Sequence, residues 1–312
     1  MRVLFLSHFF YPHIGGVEKH IYLLSRKLIK QGHEITVLTE KFDGKLKNIE
    51  VMDQIKIIRF NYPKQKFIGI FYIWYFILKN NYLIKDADII HIHDVFIWYL
   101  PFRFLNFNKK VFTTIHGLEW GNPTKFSGIL QKKIAVKLSN KTIGVGKFLE
   151  KYIGVKFDLI IYGATSLRQG FGWQSKKKNK IVFVGRLSKD TGILKFLDWL
   201  KLHKNLKVEF VGDGELRNEC EKYGKVYGFT NPERFIKKAE YFVPGGYLAC
   251  LEGMSAKCKI KVFWNDELKK DYWQMSPMNK FIEKEDVDGG FTWVKEKSWK
   301  NLANEYLRIW KL

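Results

Sequence analysis

The sequence predicts an α/β fold in which parallel strands alternate with helices. Continuous apolar runs such as "RVLFLS", "EITVLT", "DIIHIH" and "VFTTIH" recur along the first half of the chain, with helical patterns between them. Strands that are apolar on both sides are typical of a parallel sheet covered by helices. The pattern begins again with "KIVFVGRLSKDTGILKFLDWL" after a break. We therefore expect two similar Rossmann-like domains.

The break between the two halves is the segment "ATSLRQGFGWQSKKKNK", which is rich in glycine, polar residues and lysine. It places an N-terminal domain at 1–165, a linker at 166–179 and a C-terminal domain at 180–312. The last segment has Trp299, Leu302, Tyr306 and Ile309 at helical spacing and is predicted to close the fold as a helix. Two such domains would bind ligands in a central cleft that the carboxyl edges of their sheets face.

Composition and charge limit the class of protein. The chain of 312 residues is 46% hydrophobic and 16% aromatic, which excludes a disordered or fibrous protein. Its 54 Lys and Arg against 31 Asp and Glu give a net charge of +23. Such a surface attracts nucleic acid, anionic membrane or phosphate-bearing substrates, although a host with generally lysine-rich proteins would explain it equally. The lysines are scattered and no nucleic-acid-binding module is present, so no nucleic acid is expected.

The cysteines and the N-terminus indicate a cytoplasmic protein. Cys220, Cys250 and Cys258 lack the paired spacing of a zinc site or a disulfide framework, which fits a reducing compartment. The opening "MRVLFLSHFF" has no small-residue cleavage site and is predicted to be a first strand rather than a signal peptide.

The longest apolar run, "FIGIFYIWYFIL" at Phe67 to Leu78, is shorter than the roughly 20 residues that cross a bilayer. Lys64, Lys66 and Lys79 flank it. Two interpretations stay open: an aromatic, basic helix resting peripherally on the inner face of a membrane, or a buried helix of the first domain.

A glycine pair marks the first turn after the first strand. Gly15 and Gly16 precede a helical stretch, where free backbone N–H groups and the helix dipole favour an anion. Such a pair is as often only a turn. It is neither a Walker loop nor the GxGxxG fingerprint, so a P-loop or dinucleotide site lacks its central motif.

The ordered set "GGVE", "DIIHIHD", "TTIHG", "IVFVGRL", "VGDGELR" and "LEGMSA" extends along essentially the whole chain. In this order the motifs resemble glycosyltransferase family four, the retaining enzymes of the GT-B fold that transfer a sugar from a nucleotide-diphosphate donor. The resemblance implies two Rossmann-like domains, a UDP-sugar or GDP-sugar substrate, no cofactor and no metal. It also implies a glycan or lipid-linked acceptor, as in polysaccharide biosynthesis.

The resemblance assigns roles to particular residues. The loop of Gly15 and Gly16 matches the family's glycine loop near the donor diphosphate and the acceptor. His116 in "TIHG" matches a histidine that faces the transferred sugar, and Arg186 in "VGRL" matches the arginine that pairs with donor phosphate, a task suited to a permanently charged guanidinium. Glu252 in "LEGMSA" matches the glutamate that accepts from the donor ribose hydroxyls. We therefore expect His116, Arg186 and Glu252 to be the catalytic set.

Further donor contacts are implied around these positions. Gly228 and Phe229 in "VYGFT" stand where the family's backbone reads the nucleobase. Glycines at 245 and 246 precede a predicted helix, so the remaining donor-binding candidates are backbone groups of this segment and one lysine. They are Gly246, Tyr247, Leu248 and Lys189.

Two positions depart from the family pattern. The family has a lysine directly before the glycine that follows "GRL", where this chain has Thr191, so Lys189 or Lys195 would have to reach the phosphates. The first glutamate of the family's pair, which contacts the transferred sugar, falls on Pro244. These departures keep open an alternative, a nucleotide-sugar-binding protein with little or no turnover.

His91 and His93 form an HxH pattern that also occurs in metal sites. Their side chains would share one face of a strand, but only Asp94 stands nearby as a further ligand. We therefore expect a structural or cleft-lining role and no metal.

Overall fold

The computed structural model describes residues 1–63, 68–118, 126–166 and 176–311. Its contacts divide the chain into two units, Met1–Ile161 with Leu302–Leu312, and Tyr162–Asn301. The predicted α/β class with parallel sheets is confirmed. Residues 167–175 of the predicted linker lie outside the described residues. The last residues group with the first unit, whereas the sequence analysis assigned them to the second domain.

Thirteen strands are described. They are β1 (Arg2–Ser7), β2 (Glu34–Glu40), β3 (Ile49–Met52), β4 (Ile55–Phe60), β5 (Ile89–His93), β6 (Lys110–Ile115), β7 (Lys141–Val145), β8 (Leu159–Ile161), β9 (Lys177–Val184), β10 (Lys207–Val211), β11 (Gly224–Val226), β12 (Ala239–Pro244) and β13 (Lys259–Ile260).

Fourteen α-helices are described between and after these strands. They are α1 (Gly16–Ile29), α2 (Ile68–Lys79), α3 (Tyr82–Asp86), α4 (Phe96–Leu105), α5 (Phe126–Leu138), α6 (Phe148–Ile153), α7 (Ile193–Lys201), α8 (Arg217–Glu221), α9 (Glu233–Ile236), α10 (Tyr247–Ser255), α11 (Glu267–Gln274), α12 (Asn279–Glu283), α13 (Val287–Val294) and α14 (Trp299–Lys311).

The first unit is built on an eight-stranded sheet in the order β3-β4-β2-β1-β5-β6-β7-β8. All neighbours are parallel except β3, which pairs antiparallel with β4. The chain moves from β1 towards β2 and later returns to the other side of β1 to form β5. This reversal is a topological switch point, where open α/β sheets bind ligands beyond the carboxyl ends of the strands.

Alternation along β5 separates the two faces of this sheet. Ile90 and Ile92 belong to a core that also contains residues of α2, α4 and α5. His91 lies on the opposite face, where Tyr306 and Trp310 of α14 pack against it. Both α14 residues are almost fully buried, which is the physical reason why the C-terminal helix belongs to the first unit.

The second unit has a parallel sheet of five strands in the order β11-β10-β9-β12-β13. Its core includes Ile181, Phe183, Phe196 and Phe210, so the apolar strand and amphipathic helix of the repeated pattern pack together. The chain reverses between β9 and β12, because β10 lies on one side of β9 and β12 on the other. The second switch point is therefore at the carboxyl ends of β9 and β12.

Candidate functional site

The carboxyl edge of the second sheet is lined by main chain. Gly185 follows β9 with φ +158°, and a Cβ at this position would lie 2.8 Å from Gly245 Cα. A Cβ on Gly212 would lie 1.8 Å from Gly185 O. The Gly245 N–H donates to Val184 O at 2.8 Å, which holds the two backbones together. Any side chain at Gly185 would displace this contact, so the close approach of the two backbones requires glycine at this position.

Arg186 stands at this switch point with an exposed guanidinium. Its Nη2 donates to Asp190 Oδ2 at 2.6 Å, and Ser188 Oγ donates to Asp190 Oδ1 at 2.5 Å. An exposed ion pair of this kind contributes little to stability. It orients the guanidinium and leaves other N–H donors of Arg186 outside the ion pair. The phosphate-binding role of Arg186 stays a prediction.

Lys269 is a second cation at the same place, and the sequence analysis did not identify it. It lies on α11, its Nζ donates to Gly245 O at 3.0 Å, and the ammonium stands 4.2 Å from the centre of the Tyr272 ring. Burial lowers the pKa of Lys269 to about 8; nearby Asp190 opposes this effect and nearby Arg186 adds to it. No motif surrounds this lysine. Only the missing family lysine at Thr191 signals that another cation is needed.

The turn after Arg186 explains why Thr191 does not supply that cation. Thr191 is 6% exposed, and its hydroxyl donates to Ser188 O at 2.7 Å. Lys189 is exposed on the same turn, and Lys195 is exposed on α7. Neither lysine side chain contacts Gly185 or Gly245 in the described part of the chain. Their suggested role in binding phosphate remains a prediction.

The N-terminus of α10 carries three of the predicted donor contacts. Gly246 is its N-cap in extended conformation. The Tyr247 N–H, however, donates to the Tyr272 hydroxyl at 2.6 Å, and the two rings stack with centroids 3.8 Å apart. That amide is therefore already satisfied within the unit. Leu248 turns its side chain towards Gly163. The predicted phosphate contacts of Gly246, Tyr247 and Leu248 stay predictions.

Pro244 lies on β12, and Glu252 lies on α10, the helix that follows this strand. Pro244 is the last residue of β12, is buried, and pairs in register with Val184. The strand leads directly through Gly245 and Gly246 into α10, so the loop that would carry the family's first glutamate is absent here. Glu252 lies partly buried on α10.

Gly228 and Phe229 lie at the carboxyl ends of the outer strands. The Gly212 N–H donates to Gly228 O at 2.9 Å, which joins the ends of β10 and β11. Gly228 has φ +66°, and the Phe229 side chain is 52% exposed. They share the sheet edge of Arg186, as a base-binding pair would have to. Their contact with the nucleobase stays a prediction.

In the first unit, Gly15 lies directly against the carboxylate of Glu18. A Cβ on Gly15 would lie 2.2 Å from Glu18 Oε2, whereas the space around Gly16 is open. Glu18 is only 7% exposed, and His13 Nδ1–H donates to Glu18 Oε1 at 2.6 Å. This carboxylate already faces the N-terminal end of α1, where the dipole favours an anion. The open approach to the backbone is therefore at Gly16.

Four histidines gather at the first switch point. His20 of α1, His91 and His93 of β5, and His116 after β6 have ring centroids 4.9 to 6.1 Å apart between neighbours. Burial lowers the pKa of all four, to about 3 for His91, and neighbouring histidines lower the pKa of His20, His91 and His93 further. The cluster is therefore neutral at physiological pH.

Hydrogen bonds from α14 fix the proton position on His91. Trp310 Nε1–H donates to His91 Nδ1 at 2.9 Å, so neutral His91 carries its proton on Nε2 and donates it to Thr114 Oγ1 at 2.8 Å. The Tyr306 hydroxyl lies 3.0 Å from both Thr114 Oγ1 and His20 Nε2. The C-terminal helix thus orients two rings of the cluster.

Two hydrogen bonds hold His116. Its Nε2 shares a hydrogen bond of 2.9 Å with His93 Nδ1, and its backbone N–H donates to Asp94 Oδ1 at 3.0 Å. Asp94 has φ +65°, an uncommon conformation for a residue other than glycine, and pairs with Lys132 at 3.2 Å. Both partners of this ion pair are buried.

As predicted, His91 and His93 share one face of β5. Within the described ranges, no group of three or more His, Cys, Asp or Glu side chains is arranged to hold a metal ion. His93 Nε2 is buried and has no hydrogen-bond partner in the described part of the chain. Cys220, Cys250 and Cys258 are buried free thiols of the second unit.

Comparison with known proteins supports the family resemblance. The model of Glycosyltransferase Family 4 matches residues 14–159. A phosphatidylinositol N-acetylglucosaminyltransferase subunit from Arabidopsis thaliana is 49% identical over 45 residues, which are 14% of this chain and 10% of that protein. The GPI3 subunit of the corresponding Saccharomyces cerevisiae enzyme is 30% identical over 95 residues, or 30% and 21% of the two chains. The match thus spans about a fifth or less of these relatives' lengths.

Solved structures share the fold over the whole chain. Sucrose-phosphate synthase from Thermosynechococcus elongatus is 13% identical with a TM-score of 0.73, and the match covers 99% of this chain and 98% of that one. The lipopolysaccharide outer core galactosyltransferase WaaB is 15% identical with a TM-score of 0.66 and full coverage of both chains. At these identities the likeness establishes the fold.

Proposed function

The chain is a glycosyltransferase family 4-like protein with the GT-B fold, and on this premise we propose that it transfers a sugar from a nucleotide-diphosphate donor to a glycan or lipid-linked acceptor. The observation that carries the proposal is the pair of cations at the glycine-lined switch point of the second unit. Arg186 and Lys269 stand beside the close-packed backbones of Gly185 and Gly245 at the carboxyl edge of the sheet. Two positive charges and a bare backbone suit a diphosphate.

In this proposal the second unit binds the donor. Arg186 offers directed N–H donors, and Lys269 supplies the charge that the family draws from the lysine replaced by Thr191. The lowered pKa of Lys269 lies close enough to neutrality that a bound diphosphate would restore its full charge. Gly228 and Phe229 contact the base, and Glu252 accepts from the ribose hydroxyls.

The first unit supplies the chemistry at the sugar. A neutral His116 can donate one hydrogen bond to a hydroxyl without placing a second positive charge beside an oxocarbenium-like transition state. His93 and Asp94 fix its ring and backbone. Gly16 leaves the approach to α1 open for the acceptor or the diphosphate.

We propose transfer of a hexose without a metal and with retention of anomeric configuration, at the cytoplasmic face of a membrane. Pro244 occupies the position of the family's first glutamate, and no other residue takes the role of a covalent nucleophile in this scheme. The leaving phosphate therefore assists deprotonation of the acceptor on the same face of the sugar. Cations and helix N-termini neutralise its developing charge in place of a metal.

A second candidate is a nucleotide-sugar-binding protein with little turnover. The replacement of the family's lysine by Thr191 and of its glutamate by Pro244 favours it. It shares the donor site with the first proposal and differs from it in lacking transfer. Measuring binding and turnover on the same preparations separates the two.

The test begins with thermal shifts of the protein in UDP, GDP and their sugar conjugates. One nucleotide should raise the melting temperature, and Arg186→Ala or Lys269→Ala should remove most of the shift. Lys270→Ala is the matched control, because Lys270 is the adjacent lysine on α11 and its Nζ pairs with Glu267 instead. A shift that survives loss of both Arg186 and Lys269 contradicts the donor site.

Turnover is then followed by release of nucleoside diphosphate and by NMR of the product anomer. Release that requires His116 supports transfer, and a retained anomer supports the same-face mechanism. Binding without release in the presence of a lipid-linked or glycan acceptor supports the second candidate.

A further inference from the structure

Helix α2 is apolar around almost its whole circumference, although only one side of it is buried. Gly69, Ile73 and Ile77 face the core. The other side carries large apolar side chains at steps of three and four residues, each more than half exposed. This α2 stripe consists of Ile68, Phe71, Tyr75 and Leu78. A helix that is apolar all round is normally covered by protein or by membrane. The interpretation as a buried helix therefore describes one side of α2, and the interpretation as a membrane-resting helix describes the other side.

The exposed apolar surface continues onto the two neighbouring helices. α2, α4 and α5 contribute to one core on one face of the sheet, and Trp74 Nε1 of α2 donates to Ile97 O of α4 at 3.0 Å. α4 and the turn after it expose Phe104, Leu105 and Phe107, the last at 81%. Arg103 Nη1 donates to Phe107 O at 3.0 Å and holds this turn in place.

Charge distinguishes the partner that would cover this surface. The helices α2, α4 and α5 contain no Asp or Glu and five cations. Lys79, Lys133 and Lys137 are exposed, Arg103 is partly buried, and Lys132 is buried in its ion pair with Asp94. The nearby carboxylates are Asp86 and Asp88 beyond α2, and Asp88 pairs with Arg2 at 3.7 Å. A second copy of a chain with net charge +23 would bring like charges together, whereas an anionic surface would attract them.

We propose that the outer surface of α2, α4 and α5 docks the protein onto an anionic lipid bilayer. The α2 stripe, about 15 Å long, would lie in the plane of the interface with its rings at headgroup depth, and the exposed Lys79, Lys133 and Lys137 would contact lipid phosphates. Within the described ranges no helix is both long and apolar enough to cross a bilayer. This inference rests on the membrane location in the proposed function and specifies it. Vesicle binding can be measured without a sugar donor, so its test is independent of the donor site.

The experiment is flotation of the full chain with phosphatidylcholine vesicles, with and without phosphatidylglycerol. The protein should float with the anionic vesicles, and raised salt should weaken this binding. The triple variant Phe71→Ser, Tyr75→Ser, Leu78→Ser should lower vesicle affinity about tenfold or more. The matched control is Ile49→Ser with Val51→Ser, which removes exposed apolar residues from edge strand β3 and should leave binding unchanged.

A second variant isolates the charge. Lys133→Glu with Lys137→Glu should reduce binding to anionic vesicles and leave any binding to phosphatidylcholine unchanged. Vesicle binding that persists in the triple variant overturns the proposal. The proposal is also overturned if the parent chain does not bind vesicles but forms a dimer in light scattering, and if the triple variant is a monomer. The nucleotide thermal shift of the triple variant should be retained, so failure here is distinguishable from failure of the donor site.

Discussion

Mild acid should destabilise the first unit through its buried histidine cluster. In the folded chain burial holds the pKa values of His20, His91 and His93 well below the ordinary value of 6.5, to about 3 for His91. In the unfolded chain they return to about 6.5. The unfolded state therefore binds more protons once the pH falls below this value. The contribution of these histidines to the free energy of unfolding is present in full above the unfolded pKa. It is lost as the pH falls from there towards the folded pKa values.

The size of the effect follows from these two states. At about pH 5.5, protonation stabilises each unfolded histidine by about 1.4 kcal/mol, while a histidine that stays neutral in the fold gains nothing. Three such residues cost the folded state about 4 kcal/mol between about pH 7.5 and about pH 5.5. Because domains are stable by only about 5–15 kcal/mol, this loss would leave the first unit close to unfolding.

Hydrogen exchange measures the two units separately. Peptides from β5 and β6 should lose protection steeply across this pH interval after correction for the intrinsic exchange rate, whereas peptides from β9 and β12, which lie outside the histidine cluster, should lose less. His91→Gln should reduce the pH dependence by about one proton. Unchanged protection of β5 would show that the cluster accepts protons while folded, and would refute the reasoning.

Four further substitutions test the contacts. Tyr306→Phe should cost about 1–3 kcal/mol of unfolding free energy, measured by denaturant titration, because it leaves buried polar partners unpaired. Gly185→Ala should destabilise the second unit and abolish the nucleotide thermal shift, whereas Gly16→Ala, where the added Cβ meets open space, should fold normally. Lys132→Met should cost about 3–5 kcal/mol by leaving Asp94 charged and buried, so a melting temperature equal to that of the parent chain would contradict the buried pair.

The alternation of apolar strands and helices was sufficient to predict both sheets and the sheet edges that carry Arg186 and His116. Parallel strands joined by helices bring their carboxyl ends to one edge, whereas the order of the strands within each sheet was not predicted. The shared face of His91 and His93 likewise follows from the period of a strand. These inferences depend on local pattern and need no knowledge of tertiary contacts.

Lys269 was beyond such reasoning, because its place beside Gly245 depends on how α11 packs and not on its neighbours in sequence. The same limit applies to α14. Its spacing identified the buried side of the helix but not the surface that side covers. For Gly15 the role near the diphosphate and the acceptor stays a prediction, and its contact with the folded-back carboxylate of Glu18 could not be inferred from the pattern.

The return of α14 to the first sheet has a consequence for folding during synthesis. The first unit is discontinuous in sequence: 140 residues of the second unit separate Ile161 from Leu302. As the ribosome elongates the chain, β5 and β6 emerge long before the tryptophan and tyrosine that cover them. The N-terminal segment must therefore wait, with its histidine face uncovered, until the whole of the second unit has been made. The first unit is thus the first to begin and the last to be completed. During this interval the nascent chain is exposed to aggregation and to chaperones.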